Sequence, residues 1–398
     1  MNELAAPAPP IAGRFTGTRT RLFSVLLRGY LLLVPTLGIY RFWLITQKRR
    51  FFWSHTRLGG DALEYAGTAT EILFGFLIAV AIFVPFYFAF FFFGTQTPTI
   101  AAIGTFAALL ALFLLSGFAL FRSRRYRLTR TLWRGIRFNQ SGSAWKYAFM
   151  RFGWYLLTGV TLGLAYPFMA ASLFRYRYDN SWWGDRRLKF LGSWRDIAGP
   201  FYTMWGLVAA LLAAVVWSLF SAGYAAGLTV LLGSLLLAVV ALLAFPYITA
   251  RERTRFTSKL TMGDAAIGLR IRARWLIGMY LVYALVLVAA TIGIFVLVSY
   301  LISGTVAFTG NFDSLAAIQR ILEQSSWLTI AVFGAGYLGV VGILALIGEL
   351  FLGFTFWRIV VANLTIANPA SLDAVRAFGK EAPALGEGLA DALTSGGY

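Results

Sequence analysis

The chain has 398 residues, of which 59% are hydrophobic and 13% charged, and its formal net charge is +19 at pH 7. Soluble domains are about 45–50% apolar and about 25% charged, so this composition excludes a soluble globular protein. Cysteine is absent and His55 is the only histidine, which excludes disulfides, thiolate metal sites, a cysteine nucleophile and a multi-histidine metal site.

Eight long apolar segments follow one another along the chain: residues 22–45, 72–93, 99–121, 149–174, 201–220, 227–248, 275–302 and 327–357. A bilayer core about 30 Å thick needs roughly 20 helical residues to cross it. Backbone groups in hydrocarbon must be paired within their own segment, so each segment is predicted to be helical. The predicted fold is therefore all-α, a polytopic bundle of helices in a membrane.

Lysine and arginine concentrate between these segments, in stretches that the positive-inside rule assigns to the cytoplasm. The second and third segments, and the fifth and sixth, then form hairpins that turn outside at the uncharged links 94–98 and 221–226. The first and fourth segments do not fit, because a single crossing would put one basic flank outside. Our hypothesis is that both are bent and re-enter on the cytoplasmic side. The alternative is that both cross fully and violate the charge rule locally.

The two segments share a break, Thr36-Leu37-Gly38 in one and Thr161-Leu162-Gly163 in the other, which predicts an internal repeat of about 125 residues. Gly-Asp pairs follow at Asp61, Asp185 and Asp264, each before a short, partly alternating run. These runs predict small β-hairpins or extended elements at the cytoplasmic surface. Gly and Asp are common turn residues for structural reasons alone.

The domain prediction follows from these patterns. It comprises a basic cytoplasmic N-terminus at 1–21, a first membrane repeat at 22–148, a second at 149–274, a degenerate third unit with two transmembrane helices at 275–366, and a flexible cytoplasmic tail at 367–398. Both termini are predicted to be cytoplasmic. The first residues lack the apolar stretch and cleavage site of a removable signal peptide.

Residues 36–79 carry a distinctive pattern: Tyr40-Arg41-Phe42-Trp43, Lys48-Arg49-Arg50, Trp53 with His55-Thr56, Gly60-Asp61, Glu64-Tyr65, Gly67-Thr68 and Glu71 before Gly75-Phe76-Leu77. This pattern resembles the YjgN-like family, bacterial inner-membrane proteins with an uncharacterised domain. The resemblance implies a bacterial inner-membrane location. It implies no activity.

Ionisable residues inside apolar segments are the first candidates for function, because such a group is costly in a membrane unless paired or hydrated. Glu349 lies inside the last segment, where it would be a proton or cation site or would pair with a basic residue of a neighbouring helix. Arg28 and Arg41 lie in the first segment, where they would extend to the headgroups or bind an anion.

Two further groups of candidates lie in the polar stretches. His55, Asp61, Asp185 and Asp264 occupy the loops, and His55 would sense pH or serve as a surface histidine. Residues 122–151 mix nine cations with aromatic residues. Such a mixture fits nucleic acid or, as we favour beside a membrane, anionic lipid headgroups; the arginines assigned to headgroups are Arg124, Arg125, Arg127, Arg130, Arg134 and Arg137.

These observations reduce the number of possible functions but do not identify one. No P-loop, dinucleotide-binding fingerprint, nucleophile elbow or HExxH motif is present, and no residue cluster argues for catalysis or for a cofactor. We expect anionic lipid as a partner and no nucleic acid. Transport of a small solute or ion is one hypothesis, and a non-transporting scaffold or lipid-interacting protein is the other.

Overall fold

The computed structural model describes residues 9–221, 227–309 and 327–377. Most of the predicted outer link at 221–226, the stretch before the last apolar segment, the first eight residues and the end of the predicted tail lie outside the described residues.

Within these ranges, ten short strands pair antiparallel in chain order and close into a barrel. They are β1 (Ile11–Phe15), β2 (Thr56–Leu58), β3 (Asp61–Tyr65), β4 (Thr131–Trp133), β5 (Ile136–Gln140), β6 (Ser181–Trp183), β7 (Arg186–Phe190), β8 (Leu260–Met262), β9 (Ala265–Leu269) and β10 (Leu364–Ala367). Strand β1 closes the barrel by pairing with β2 on one side, Gly13 opposite Leu58, and with β10 on the other, Ile11 opposite Ile366.

The prediction of an all-α bundle is therefore wrong. The strands are three to five residues long, too short for alternation to identify them firmly from sequence. Closure also depends on pairing between segments that are far apart in the chain, and no local pattern encodes such pairing. The runs predicted as separate surface hairpins are instead parts of one wall. Each predicted segment from 1–21 to 275–366 contributes at least one strand to it.

Large apolar side chains fill the barrel. Trp133 and Trp183 are at most 1% exposed, and their ring centroids lie 4.7 Å apart. The same buried cluster contains Leu58, Leu188, Met262, Ala265 and Ile366. A barrel of about eight strands is just wide enough for side chains to fill it. Indole rings supply the volume that this wider barrel needs.

The barrel has two different rims. In the described chain, every α-helix joins the strands at one rim. The tight β-turns between β2 and β3, β4 and β5, β6 and β7, and β8 and β9 lie at the other rim, as does the short 3₁₀ helix Pro369–Leu372. Gly60, in the first turn, has φ 95°, a conformation that glycine adopts without a steric penalty. Both described chain ends, at residues 9 and 377, also belong to this turn rim. Leu372 and Val375 pack into the barrel cluster there, so this part of the predicted tail is anchored.

Helices leave the other rim in pairs, each pair inserted between two strands. The described helices are α1 (Arg19–Leu33), α2 (Arg41–Ser54), α3 (Ala69–Gly94), α4 (Pro98–Thr129), α5 (Ala144–Val160), α6 (Tyr166–Asp179), α7 (Arg195–Ser221), α8 (Gly227–Thr257), α9 (Ala273–Thr309), α10 (Trp327–Gly348) and α11 (Phe354–Ala362), with a π-helical turn at Glu349–Gly353 between the last two. Several begin at a polar cap. Thr18, Thr68 and Ser143 each accept a hydrogen bond from the backbone N–H three residues later.

Six helices of the described chain are long and apolar enough to cross a membrane: α3, α4, α7, α8, the first part of α9, and the continuous stretch Gly336–Ala362. Their surfaces carry many exposed large apolar side chains, for example Phe88, Leu235 and Leu285. Apolar surface on this scale marks contact with a membrane or a partner, so the helical part fits a membrane protein.

The other two pairs are short. Helices α1, α2, α5 and α6 have 14 to 17 residues each, so neither the first nor the fourth apolar segment forms one long helix. The turns at 34–40 and 161–165 have matching geometry: Leu37 and Leu162 have φ near 50°, and the glycines after them have φ 86° and 92°. The side chains of Leu37 and Leu162 are 92% and 80% exposed.

The helices follow the same circular order as the strands. Each packs mainly on its neighbours in the chain, and α1 also contacts α10, so the first and last pairs meet. This meeting point holds the main candidate site.

Candidate functional site

A cavity of about 630 Å³ lies where α1, α2, α8, α9 and the π-helical turn meet. Apolar residues such as Leu26, Met279 and Phe356 form much of its lining. The polar contribution comes from a few side chains on different helices, among them Tyr30 and Tyr280. Because the lining helices come from both ends of the chain, the cavity exists only once the ring of helices has closed.

Lys48 and Glu349 form an ion pair in this cavity, with 2.5 Å between Nζ and Oε1. Their side chains are only 8% and 21% exposed. Lys48 faces the cavity because Arg41, Leu44, Ile45 and Lys48 follow helical spacing on α2 and share one face. The partner of Glu349 is thus a lysine of another helix. Pairing with a basic residue is one of the two alternatives that the sequence left open for Glu349. Desolvation of two charges offsets much of their attraction, so the pair is weak evidence for a purely stabilising role.

The π-helical turn Glu349–Gly353 begins at the acidic residue of this pair. Such turns are rare within α-helices and occur frequently at functional sites. Gly348, Glu349, Leu352 and Gly353 all line the cavity. The turn and the residue before it therefore place a carboxylate and two glycines, which leave space, at the cavity wall.

Two further cations face the same space. Arg41 lies near the tip of the α1–α2 pair and is exposed. Arg253, on α8, has its guanidinium carbon 4.8 Å from the ring centre of Phe356. Neither side chain donates a hydrogen bond to any residue in the described part of the chain. Among the described lining residues, three cations stand against one carboxylate, so the cavity is positively charged.

The remaining candidates of the first helix pair lie elsewhere. Arg28 is exposed on α1 and does not line the cavity. His55 ends α2, where its Nδ1 lies 2.7 Å from the carbonyl oxygen of Phe51 and its ring packs on the Phe51 ring. These contacts stay within one helix end.

The aspartates Asp61, Asp185 and Asp264 come together at the turn rim of the barrel, away from the cavity. Asp61 accepts a hydrogen bond from Arg134 at 2.8 Å. Arg134 also pairs with Asp373 at 2.9 Å. The arginine thus ties the first β-turn to the segment 368–377.

The other two aspartates hold the same segment. Asp185 accepts a hydrogen bond from the backbone N–H of Arg376 at 3.2 Å. The backbone carbonyl of Asp264 accepts one from the side chain of Asn368 at 3.3 Å. Their geometry fits a structural role in covering this end of the barrel.

Most arginines assigned to lipid headgroups make contacts inside the protein. Arg124 stacks on Tyr178 at 4.4 Å, Arg125 donates to the carbonyl of Gly142, and Arg137 donates to that of Thr129. Arg127 also has an interaction within the described residues. Lipid contact by these side chains remains a prediction.

Arg130 is the most firmly held of the set. Its Nε and Nη2 donate to the two carboxylate oxygens of Glu71 at 3.0 and 3.2 Å, and Tyr126 donates to the same carboxylate at 2.8 Å. Burial acts to lower the pKa of Arg130, but the hydrogen bonds and charge of Glu71 outweigh it and raise the pKa above its ordinary value.

Sequence reasoning named Glu349 and Arg41 but not Lys48, Arg253 or Tyr30. Lys48 opens the basic run Lys48-Arg49-Arg50, which resembles a solvated loop in the sequence. One signal was available: Arg41 and Lys48 are separated by seven residues with Leu44 and Ile45 between them, which predicts a shared helix face. No sequence signal pointed to Arg253, because only the folded ring brings α8 beside α2.

Residues 10–392 match a family described as bacterial proteins of unknown function (DUF898). The chain belongs to this family. All described strands and helices lie within the matched residues. The family's description assigns no activity, so function has to be argued from the cavity.

Two curated relatives bear the name "Inner membrane protein YjgN". The one from Escherichia coli O157:H7 is 28% identical over 140 residues, which is 35% of this chain and 33% of the relative. The one from Escherichia coli (strain K12) is 26% identical over 166 residues, 42% of this chain and 39% of the relative. The matched stretch thus spans well under half of either relative. The resemblance to the YjgN-like family is confirmed. No solved structure matches this fold.

Proposed function

We propose that this protein transports a small anionic solute across the bacterial inner membrane, and that the cavity around Lys48 and Glu349 is its binding site. The inner-membrane name of the relatives and the apolar helices of this chain support the location. In this proposal the barrel and both chain ends lie in the cytoplasm, because the basic helix ends adjoin the barrel.

The observation that carries the proposal is a buried ion pair inside a cavity with excess positive charge. Arg41 and Arg253 line the same space as Lys48, and Glu349 is the only carboxylate among the described lining residues to offset these cations. Charges interact more strongly where protein excludes water than they do in bulk solvent. An anion entering this cavity would therefore be attracted by cations that the protein leaves in excess.

The ion pair also offers a way to couple binding to a change of shape. An anion that binds Lys48 competes with Glu349, whose carboxylate stands at the start of the π-helical turn. Release of Glu349 would remove the ionic contact between the π-helical turn and α2. The packing of Trp357 on Phe52 and Trp53 would still join the last helix to α2. Breaking a buried pair costs several kcal/mol unless the solute replaces the lost partner, so the change would occur only with solute bound.

The matching turns at 34–40 and 161–165 support a related proposal, that the chain contains an internal repeat. Many transporters are built from such repeats, with the substrate site at the interface between them. A scaffold can also arise by duplication, so the repeat adds less weight than the cavity.

Flux measurements test the proposed function. The full-length protein is reconstituted into liposomes, and uptake of radiolabelled phosphate, glycerol phosphate, acetate and succinate is compared with protein-free liposomes. We expect uptake of at least one anion, reduced about tenfold or more by Lys48→Met, since a hydrogen bond to a charged group is worth roughly one decade in affinity.

Lys189→Met is the matched control, because Lys189 is exposed on β7 and does not line the cavity; it should leave uptake unchanged. Thermal melts of each variant confirm that it folds. Absence of flux for every anion, or flux that Lys48→Met leaves intact, would contradict transport through this cavity and favour the scaffold hypothesis.

A further inference from the structure

A second cavity adjoins the charged one. It has a volume of about 590 Å³ and lies between α1 and α10. The two cavities share Tyr30, Leu33 and Ala345 in their walls. The two cavities are therefore neighbours. Taken together, as the joined space, they have a charged end and an apolar end.

The second cavity is a groove with an apolar lining. Leu27, Leu31 and Val34 form one wall, and Leu338 and Val341 are on the other. Leu31 is 65% exposed and Leu338 is 53% exposed, so the groove is open to its surroundings. Because Gly336–Ala362 is one of the membrane-length helices, those surroundings are lipid tails in the transport proposal.

We propose that the joined space binds one anionic phospholipid, with its phosphate among Arg41, Lys48 and Arg253 and one acyl chain along the groove. This goes beyond the proposed function, because a phospholipid is larger than the small anions proposed for transport. Binding of the lipid does not require that those anions are transported.

Charge and polarity together select this occupant. A free small anion would satisfy the cations but leave the groove of Leu31 and Leu338 unfilled. A lipid without net charge would fill the groove but provide no counter-charge for Arg41 and Arg253. An anionic lipid meets both demands in one molecule.

The distances along α2 suit a phosphate group. Arg41 and Lys48 are seven residues apart on one face, which is about 10 Å along the helix axis. A phosphate between them is within reach of both long side chains, and guanidinium groups bind phosphate through paired hydrogen bonds. The groove begins beside this position, at Tyr30 and Leu33, and runs towards Leu37 and Gly38 at the tip of the pair.

Native mass spectrometry tests the proposal directly. The full-length protein in detergent is incubated with phosphatidylglycerol or with phosphatidylcholine of the same acyl chains. We expect one phosphatidylglycerol to remain bound and phosphatidylcholine to be lost. The double variant Arg41→Gln, Arg253→Gln should lower the bound fraction of phosphatidylglycerol about tenfold.

A second variant probes the groove without touching a charge. Gly339 and Gly342 line the groove, and a Cβ atom added at either position meets no atom closer than 4.0 Å. Gly339→Leu with Gly342→Leu therefore fills the groove while favouring the helix, and should also release phosphatidylglycerol. Gly336→Leu makes the same change on the same helix outside both cavities, and should retain the lipid.

Each outcome decides between the proposals. Equal retention of phosphatidylglycerol by all variants would overturn the lipid site. So would binding of glycerol phosphate that is the same in the wild type and in the double variant Gly339→Leu, Gly342→Leu. In the second case transport of a small anion would still stand. Lipid bound by the wild type and lost from both double variants, together with no uptake of the small anions into liposomes, would support the lipid site and overturn transport of a small anion. If the glycine double variant fails to melt cooperatively, Gly342→Leu alone provides the milder test.

Discussion

Two partly buried ion pairs each join one helix to another through single residues. Lys48 and Glu349 connect α2 to the last helix, and Glu71 connects α3 to Arg130 at the end of α4. Removing one member of such a pair leaves the other charge without compensation in a poorly hydrated place, which costs more than the net worth of the pair. Substituting one member of either pair should therefore lower the free energy of unfolding strongly, and substituting both members should lower it less.

Lys48→Met should destabilise the protein by about 3 kcal/mol, because Glu349 is left as a buried charge. The double variant Lys48→Met, Glu349→Leu should recover much of this loss, since both charges are gone. Thermal melts of the purified protein in detergent measure both. If the losses of stability in the single variants Lys48→Met and Glu349→Leu add up to the loss in the double variant, the two residues do not form a direct pair.

Glu71→Ala should lower stability by about 2–3 kcal/mol, because it removes hydrogen bonds from Tyr126 and Arg130 and leaves the guanidinium without its anion. The control is Glu64→Ala, which removes an exposed carboxylate on the neighbouring strand β3. Melting temperatures of the two variants should differ clearly, and equal values would contradict the importance of the Glu71 cluster.

The lengths of the helices in the two short pairs, α1–α2 and α5–α6, do not show how these pairs lie relative to the membrane. Each turns back after about 15 residues, and each tip carries an exposed leucine in a left-handed conformation. That conformation is unfavourable for leucine, and an exposed leucine gains nothing in water. A tip immersed in lipid gives the side chain an apolar solvent. This is the physical case for re-entrant pairs.

Spin labels at Leu37→Cys and Leu162→Cys should report a lipid environment, with high collision rates with oxygen and low rates with a water-soluble nickel reagent. The chain contains no cysteine, so no background has to be removed. Asp264→Cys, exposed at the turn rim of the barrel, serves as the aqueous control. Access of the nickel reagent to Leu37→Cys or Leu162→Cys would show that the tips reach water.

At the scale of the whole molecule, closure of the barrel links the beginning of the chain to its end. Strands β1 and β10 pair directly, and the segment 368–377 covers the turn rim through Leu372, Val375 and the contacts of Arg134. The same closure brings α1 beside α10 and so forms the joined cavity. Stability of the barrel and integrity of the cavity should therefore fall together.

A chain that ends after Ala367 should melt at a clearly lower temperature than one that ends after Ala377, because it exposes the apolar cluster that Leu372 and Val375 cover. Burying one such side chain is worth about 1.5–3 kcal/mol. Equal melting temperatures for the two truncated proteins would show that the segment does not stabilise the barrel.

Local composition was sufficient to predict the membrane-length helices and some of the ionisable residues at the candidate site. It was not sufficient to predict the site as a whole. The apolar runs around Phe88 and Leu235 identified membrane-length helices, because twenty apolar residues in sequence need no knowledge of their neighbours. Glu349 and Arg41 could also be identified from the local sequence, because they are ionisable residues within apolar segments. Lys48 could not, because its burial depends on helices from the other end of the chain.

What the sequence by itself determined is the membrane character of the helices, the breaks at Leu37 and Leu162, and the resemblance to the YjgN-like family. These features depend on residues close together in the chain. The closed barrel, the pairing of Lys48 with Glu349 and the joined cavity were decided only by the tertiary structure. Each of them brings together segments such as β1 and β10 that lie at opposite ends of the chain, and hydrophobic periodicity contains no information on which distant segment becomes a neighbour.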